Sequence, residues 1–376
     1  MELHELAWAG GERPLPATVE LAGCAGSPVH LRVHRWLHAT PARHDVLARW
    51  DDRYVLARLL TGPDAGMDLE REKAGVRQLA AQELPTLTLL REGRTPELDA
   101  WLLYEADDDV QRLDAVWENL ASQAPLTEAQ QTLFGEALCA LGALHGKGLW
   151  PTDPSLRRFI RHRERIHLLD AGTLRSETPG SPLGRDQVLA NLGQFFAQFP
   201  TRFEPWFEEL LVFYLLVNGE HALPLEALLK EAAKAREQNM RRQLTRLERN
   251  SPVCALARRG GMLRAVLRSE QARLRTIVAD PEAVMRSGAP SAAGGEADAA
   301  LLETPAGPVR LIRYPAPTGW RRLLTSPAWR AWIAGQRGYL LGETDRRPLA
   351  VVERRRLGLR GVSYLITEAN DAEERG

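Results

Sequence analysis

Two neighbouring segments carry most of the functional information in this chain: LHGKGLWPTDPSLRRFI at residues 144–160 and IHLLDAG at residues 166–172. The first segment leaves the end of an apolar helix and places Asp153 in a loop. The second is a short apolar strand that ends at Asp170. Because the loop that contains Asp153 and the strand that ends at Asp170 are close in the sequence, we expect the two carboxylates to converge at one cleft.

The spacing of these two aspartates is typical of phosphotransfer sites. In such sites one aspartate accepts the proton of the substrate hydroxyl, an asparagine a few residues later holds a metal ion, and a second aspartate binds Mg²⁺. Asp153 and Asp170 occupy the two acid positions, but the asparagine position is Arg158. A guanidinium is a permanent cation without an acceptor atom, so Arg158 cannot coordinate Mg²⁺. We therefore expect the second metal site to be missing, with a direct cause if Arg158 pairs with Asp170.

The residues before this region predict a β-rich lobe. Short alternating apolar segments at residues 17–60, and again at residues 85–90 and 100–104, are typical of strands. A helical spacing interrupts them at residues 67–81. The sequence therefore predicts a five-stranded antiparallel sheet with one inserted helix.

One strand of this sheet ends where phosphotransferases carry a phosphate-binding lysine. The residue at that position is Arg58, which keeps the positive charge in a wider planar group. Its carboxylate partner on the inserted helix is predicted to be Glu72, with Glu70 as the alternative. Glu105, where the β-rich lobe ends, is predicted to contribute to cofactor binding. The alternative interpretation of Arg58 and Glu72 is an ordinary strand arginine and a helix-surface acid.

The loop that should cover the phosphates is expected between Arg43 and Arg53, and this segment contains no glycine. Glycine lets backbone N–H groups approach a phosphate closely. We therefore expect ATP to be held poorly.

After residue 105 the pattern becomes helical and then repeats the first lobe. Apolar spacing predicts helices at residues 126–144, 188–196, 206–217 and 225–247. Residues 287–300 predict a linker. Beyond it, an offset of 263 residues aligns Pro348 with Pro85, Leu365 with Leu102 and Glu368 with Glu105. Residues 301–368 are therefore predicted to be a second copy of the β-rich lobe, with Ile312 or Arg313 at the lysine position.

The composition indicates which binding partners, which redox compartment and what kind of membrane contact to expect. The 49 basic and 49 acidic side chains balance, so net charge favours neither nucleic acid nor an acidic partner. The three cysteines, Cys24, Cys139 and Cys254, are widely spaced and odd in number, which is typical of a reducing compartment. No uncharged apolar run reaches the length of a membrane span, so we expect any membrane contact to be peripheral.

These motifs resemble those of the Kdo/heptose lipopolysaccharide kinases, which show a Leu-His-x-x-Gly run, a His-Gly-Asp-like loop, an Asn-Phe pair and an Ile-Asp pair. The matching residues are Leu144, His145, Gly148, Asp153, Phe159, Leu169 and Asp170. The resemblance extends over nearly the whole chain, and in the second lobe the similar positions are Arg313, Tyr314, Trp320, Trp329, Pro348 and Leu349.

The resemblance implies an α+β, protein-kinase-like bilobal fold followed by a second, partial domain. Its expected boundaries are a β-rich N-lobe at residues 1–105, a helical C-lobe at 106–250, connecting helices and a linker at 251–300, and a second, truncated N-lobe-like domain at 301–376. It also implies a cytoplasmic protein at the inner face of the inner membrane, with the lipopolysaccharide core or its assembly enzymes as partners.

Because Arg58 and Arg158 replace the expected lysine and asparagine, three functional hypotheses follow. A pseudokinase or weak kinase would support core-oligosaccharide assembly and could need no cofactor. An active enzyme would use ATP and Mg²⁺ to phosphorylate a heptose or Kdo hydroxyl, with Asp153 orienting the nucleophile, Asp170 holding Mg²⁺ and Arg58 contacting the phosphates. A kinase of a protein or small molecule is a third hypothesis, because a fold does not fix its substrate.

Two basic regions are compatible either with an anionic lipid surface or with an ordinary solvated face. The first is the helix at residues 225–249, and the second is Arg354-Arg355-Arg356; the tryptophans Trp320, Trp329 and Trp332 have the same two interpretations. For both regions the solvated face is the commoner arrangement.

Overall fold

The computed structural model describes residues 17–21, 28–40, 42–95, 99–290, 298–341, 344, 346–356 and 359–369. The fold is mixed α+β, and the chain divides into two compact units, Met1–Ala235 and Arg236–Gly376. Cys24 and residues 291–297 of the predicted linker lie outside the described residues, and Cys139 and Cys254 are free thiols. None of the helices in the described ranges combines the length and apolar character that crossing a bilayer requires.

A six-stranded antiparallel sheet forms the N-terminal part of the first unit. Its elements are β1 (Ala17–Leu21), β2 (Val29–Thr40), β3 (Arg43–Trp50), β4 (Arg53–Leu60), α1 (Ala65–Ala81), β5 (Leu89–Arg94) and β6 (Ala100–Glu105). The strand order is β1-β2-β3-β4-β6-β5. The predicted number of five strands was wrong: the sheet has six, and its edge strand β1, which pairs with β2, lies within the segment at residues 17–60 that was predicted to form strands. The strand predicted at residues 85–90 begins only at Leu89 and extends to Arg94.

The two faces of this sheet are both apolar, and their alternation decides where Arg58 points. Ala57 and Leu59 of β4 belong to one buried cluster, whereas Leu56 and Leu60 belong to another, which includes residues of α1. Side chains alternate along a strand. Arg58 therefore projects to the face on which α1 packs.

After β6 the first unit becomes largely helical. Its elements are β7 (Gln111–Arg112), α2 (Leu113–Leu120), α3 (Glu128–Gly146), β8 (Leu149–Pro151), β9 (Phe159–His162), β10 (Arg165–Leu168), β11 (Leu174–Ser176), α4 (Arg185–Phe196) and α5 (Phe207–Val217), and α6 (Leu225–Leu247) begins in this unit and ends in the second. The four predicted helices are confirmed as α3 to α6. At the start of α3, Thr127 and Gln130 form a capping box, which satisfies two otherwise unpaired N–H groups.

The second unit contains a seven-stranded antiparallel sheet. Its elements are β12 (Cys254–Arg259), β13 (Met262–Leu267), α7 (Arg275–Ala279), α8 (Pro281–Ser287), β14 (Ala289–Pro290), β15 (Ala299–Leu302), β16 (Val309–Tyr314), α9 (Pro327–Leu341), β17 (Pro348–Arg356) and β18 (Leu359–Glu368). The strand order is β12-β13-β17-β18-β16-β15-β14. Residues 251–300, predicted as connecting helices and a linker, thus also contribute strands. Sequence analysis missed β12 and β13, which form a hairpin joined at Gly260-Gly261, and β13 also pairs with the distant β17.

Part of the strand order is shared by the two sheets. The order β3-β4-β6-β5 recurs as β15-β16-β18-β17, and in each set a helix follows the second strand along the chain. Arg58 pairs with Leu102, and Ile312 pairs with Leu365. Because Leu365 matches Leu102, the counterpart of Arg58 is Ile312 and not Arg313.

The gapless offset that relates the two segments in sequence holds for the last strand only. Glu105 pairs with Val55, and Glu368 pairs with Val309. The separation between Val55 and Val309 is shorter than that between the two glutamates. Different lengths of the intervening helix and loops account for the shift.

Candidate functional site

The hairpin of β9 and β10 brings the two predicted acid segments together. Leu168 pairs with Phe159, and beyond this pair the N–H of Leu169 donates to the carbonyl oxygen of Arg158 at 2.7 Å. A two-residue turn with both residues in the left-handed region closes the hairpin, as its twist requires. Asp170 follows directly and so lies beside Arg158.

Arg158 contacts both predicted acids. Its Nη1 lies 2.5 Å from Oδ2 of Asp170, and its Nε donates to Oδ2 of Asp153 at 3.1 Å. Asp153 also accepts from Arg157 at 2.5 Å and from the N–H of Ser155 at 3.2 Å. Burial raises the pKa of Asp153, but the bonds from Arg157 and Ser155 and the charges of both arginines outweigh it and lower the pKa to about 2. Such a strongly held carboxylate is poorly suited to accept a substrate proton near neutral pH.

Arg58 lies at the centre of a second group of ion pairs. Its Nε donates to Oδ1 of Asp45 at 2.8 Å, its Nη1 pairs with Glu72, and its Nη2 donates to the carbonyl oxygen of Leu169. Asp45 and Arg58 are directly opposed in the β3–β4 register. Burial lowers the pKa of Arg58, but Asp45 and Glu72 raise it well above its ordinary value. The guanidinium is therefore fully charged and already paired.

Glu72 is the glutamate of α1 that faces this cluster, whereas Glu70 lies on the exposed side of the helix. The Oε2 of Glu72 also accepts from the N–H of Gly172 at 2.8 Å. Gly75 permits this approach, because a Cβ at that position would lie 2.0 Å from the carbonyl oxygen of Ala171. These contacts fix α1 against the turn that follows Asp170.

Arg43 completes the cluster and was not predicted as a site residue. It is the first residue of β3 and lies 2.7 Å from Oδ2 of Asp45 and 2.7 Å from Oδ2 of Asp170. The sequence signal was Asp45, an acid inside an apolar strand and two residues from Arg43, so that both project to one face. Burial raises the pKa of Asp45, but Arg43 and Arg58 outweigh it and lower the pKa.

Most of the segment in which a phosphate-covering loop was expected forms a strand. Arg43–Trp50 is the strand β3, so the segment that follows Arg43 cannot act as a loop.

The cluster around Asp170 does not fit a bound Mg²⁺. Its Oδ2 is shared by Arg43 and Arg158. Burial raises the pKa of Asp170, but the charges of Arg43, Arg58 and Arg158 outweigh it and lower the pKa. Mg²⁺ requires oxygen ligands in near-octahedral geometry. Guanidinium groups in these positions neutralise the carboxylate and repel the divalent cation.

Glu105 lies apart from the cluster. It pairs across the sheet with Val55, three residues along β4 from Arg58. Its carboxylate is partly exposed and lies 3.2 Å from the guanidinium of Arg163. Of the predicted site residues, the structure therefore brings together Arg58, Glu72 and Asp170, with Asp153 joined to Asp170 through Arg158, but not Glu105.

The face of the sheet next to the cluster is filled by apolar side chains. Leu37 of β2, Val110 and Ile160 of β9 belong to one buried cluster, and Arg35 of β2 donates to the carbonyl oxygen of Val110. A cavity of about 340 Å³ lies beside the charged cluster and includes Arg43 in its lining. Arg35 thus ties β2 to Val110, which follows β6. To place the adenine ring of ATP between β2 and these residues, the packed side chains would have to move apart.

Comparisons with known proteins do not assign a family. No protein-family model matches the chain, and no curated protein sequence is similar to it. A structure of WaaP in complex with acyl carrier protein is similar at 14% identity and a TM-score of 0.37, covering 56% of this chain and 88% of that chain. A structure of vaccinia related kinase 3 is similar at 12% identity and a TM-score of 0.35, covering 64% of this chain and 79% of that chain.

Proposed function

We propose that the first unit has a kinase-like fold whose phosphotransfer centre is inactive, so that the protein is a pseudokinase. The observation that carries this proposal is the position of Arg158. The sequence resemblance aligns Arg158 with the metal-binding asparagine of a kinase, and the guanidinium pairs with both Asp153 and Asp170. The residues that would accept a proton and hold Mg²⁺ are thus engaged by a cation of the chain itself.

The phosphate-binding position supports the same conclusion. The side chain of Arg58 is 1% exposed and is paired with Asp45 and Glu72. Reaching a phosphate would require Arg58 to leave Glu72 without its ionic partner and Asp45 with Arg43 alone, and breaking a buried ion pair costs about 3–5 kcal/mol. ATP binding would have to offset that cost before any chemistry began.

For its biological role, we infer that the protein supports assembly of the lipopolysaccharide core as a binding or regulatory partner of the assembly enzymes. This inference rests on the resemblance of residues 144–170 to the Kdo/heptose kinases. The shared strand order of the two sheets supports the further proposal that the second unit contains a partial N-lobe-like domain.

A thermal-shift experiment tests the loss of nucleotide binding. Melting of the purified chain is followed with ATP in the presence of Mg²⁺ or of EDTA. We expect the two melting curves to coincide, because only a ligand that binds the native state stabilises it. A competent site at a hundredfold excess over its Kd would gain about 2.7 kcal/mol. A magnesium-dependent rise in melting temperature that Asp170→Asn abolishes would overturn the pseudokinase proposal.

Genetic complementation tests the biological role separately. Cells that lack the protein are complemented with the wild type, Asp153→Asn or Asp170→Asn, and the core oligosaccharide is analysed by mass spectrometry. We expect a defective core without the protein and full restoration by all three forms. Loss of one phosphate that only the wild type restores would identify an active core kinase, and an unchanged core in the deletion strain would contradict the role in core assembly.

A further inference from the structure

The second unit carries an exposed apolar turn between β16 and α9. Trp320, Leu323 and Leu324 are 69%, 70% and 50% exposed. Trp329 and Trp332, which share the same region of sequence, pack against or within the core of this unit. Several exposed apolar side chains next to one another mark a contact surface more often than a single exposed apolar residue does.

The local geometry directs these side chains to two neighbouring faces. Residues 319–323 form a 3₁₀-helix, in which side chains three residues apart are aligned. Trp320 and Leu323 therefore share one face. The N–H of Leu324 donates to the carbonyl oxygen of Arg321 at 3.1 Å, so Arg321 and Leu324 share the adjacent face.

The charged side chains in the sequence of this turn and of α9 are all of one sign. Residues 315–341 contain four arginines, Arg321, Arg322, Arg330 and Arg337, and no aspartate or glutamate. The whole chain has equal numbers of basic and acidic residues, so this segment departs strongly from its average. Such a segment attracts an anionic surface.

A cavity joins the arginines to the apolar turn. It has a volume of about 700 Å³, and its lining includes Pro315, Arg321, Leu324 and Arg330. Two guanidinium groups at the wall of an open cavity can bind a phosphate, because the planar fork of donors matches phosphate oxygens. Leu324 on the same wall gives the cavity an apolar side.

We propose that this surface, consisting of Trp320, Arg321, Leu323, Leu324 and Arg330, binds an anionic lipid bilayer. Trp320 and Leu323 enter the interface between headgroups and acyl chains, where tryptophan is favoured. Arg321 and Arg330 bind the phosphate of a lipid headgroup at the cavity. The proposal concerns the second unit alone and does not depend on the inactive centre of the first.

The basic helix α6 is a weaker candidate for the same role. Its apolar seam is occupied by packing inside the protein, since Leu228 and Leu247 are both buried in cores. The arginines of α6 therefore form a solvated face on a packed helix, without exposed apolar residues in that seam.

Vesicle co-sedimentation tests the proposal with the full-length chain. Vesicles of phosphatidylcholine are compared with mixed vesicles of phosphatidylcholine and phosphatidylglycerol. We expect binding to the anionic vesicles that weakens as salt is raised. Arg321→Gln with Arg330→Gln should reduce the affinity by roughly thirtyfold, and Trp320→Ser with Leu323→Ser by about tenfold or more.

Matched control variants separate binding by this surface from non-specific binding to the vesicles. Leu216→Ser, at a position that is 78% exposed on α5, and Arg259→Gln, at an exposed position of β12, should bind like the wild type. Equal melting temperatures exclude unfolding as a cause. Failure of the wild type to bind anionic vesicles, or unchanged binding by both double variants, would overturn the proposal. If vesicle binding depends on the arginines alone, the proposed insertion of Trp320 and Leu323 is wrong. If the control variants also lose vesicle binding, the proposed location of the binding surface is wrong.

Quenching by brominated lipids provides a second readout of insertion. The chain has ten tryptophans, so the quenched fraction of the wild type is compared with that of Trp320→Phe. We expect the quenched component to disappear in the variant. Equal quenching in both proteins would contradict insertion of Trp320.

Discussion

In the first sheet a buried arginine of β4 lies between two carboxylates, whereas at the matching position of the second sheet an isoleucine of β16 lies among apolar side chains. Arg58 is 1% exposed and stands opposite Asp45. Ile312 is 7% exposed and stands opposite Ala299. The shared strand order is thus compatible with either set of residues. Because buried ion pairs rarely add net stability over apolar packing, the charged set reflects the site it belongs to and not a need of the sheet.

Buried charge in the second sheet lies in another place. Glu353 of β17 is fully buried and is paired with Arg355 and Arg360. These three residues are close in sequence and lie near the turn of the β17–β18 hairpin. It links residues of one hairpin, whereas the cluster of Arg58 links β3, β4, α1 and the segment around Asp170. The first cluster is therefore the one whose loss should disturb several elements at once.

The largest effect is expected when the first sheet is given the residue of the second. Arg58→Ile leaves Asp45 and Glu72 buried without their shared partner, which should destabilise the first unit by about 3–5 kcal/mol. Hydrogen exchange of β3 and β4 measures this, because the two units need not unfold together. Ile312→Val, the matched control in the second sheet, should cost about 0.5–1.5 kcal/mol. Equal effects of the two substitutions would contradict the difference between the sheets.

A second substitution should recover part of this loss. Asp45→Ala with Arg58→Ile reproduces the Ala299–Ile312 pair of the second sheet. It should unfold later in urea than Arg58→Ile alone, with a coupling energy of roughly 1–3 kcal/mol between the two positions. Strict additivity in the double-mutant cycle would show that Asp45 and Arg58 do not stabilise each other.

Acid should weaken the first unit through the same carboxylates. The folded pKa of Asp153 is about 2, below its ordinary value of 3.8, and those of Asp45 and Asp170 are also lowered. Such groups stabilise the fold above their unfolded pKa and lose that contribution as the pH falls through the folded pKa. Stability of the first unit should therefore fall between about pH 4 and pH 2. Urea midpoints across this range should fall less steeply for Asp153→Asn, and an unchanged slope would contradict the assignment.

The smallest effect is expected where the two sheets are alike. Glu105 and Glu368 each end the last strand of their shared set, and the pair of Glu105 with Arg163 is exposed. Exposed pairs add little to stability. Glu105→Gln and Glu368→Gln should both leave the urea midpoints unchanged within error. A clear loss in Glu105→Gln alone would indicate a structural role that the geometry does not reveal.

Local sequence patterns were sufficient for the elements whose partners are close in the chain. The helices α3 to α6 have a clear apolar period, and the segments of Asp153 and Asp170 are joined by a short hairpin. The choice between Glu70 and Glu72 needed the position of α1 on the sheet, because both project from the same helix.

The features that sequence analysis missed depend on long-range pairing. Arg43 is close to Asp170 although the two are far apart in the sequence, and β13 lies between its hairpin partner β12 and the distant β17. The match of Ile312 to Arg58 likewise required the strand register, since Arg313 is equally plausible by alignment. No local period encodes such contacts.

Binding of Mn²⁺, a paramagnetic substitute for Mg²⁺, tests the central claim most directly. Electron paramagnetic resonance of the wild-type chain with ATP measures how much Mn²⁺ leaves the free pool. The ion pairs of Arg43 and Arg158 with Asp170 predict the same spectrum as ATP and Mn²⁺ without protein. Stoichiometric uptake of Mn²⁺ that Asp170→Asn removes would show that the arginines do not occupy the metal position, and the pseudokinase account would then be wrong.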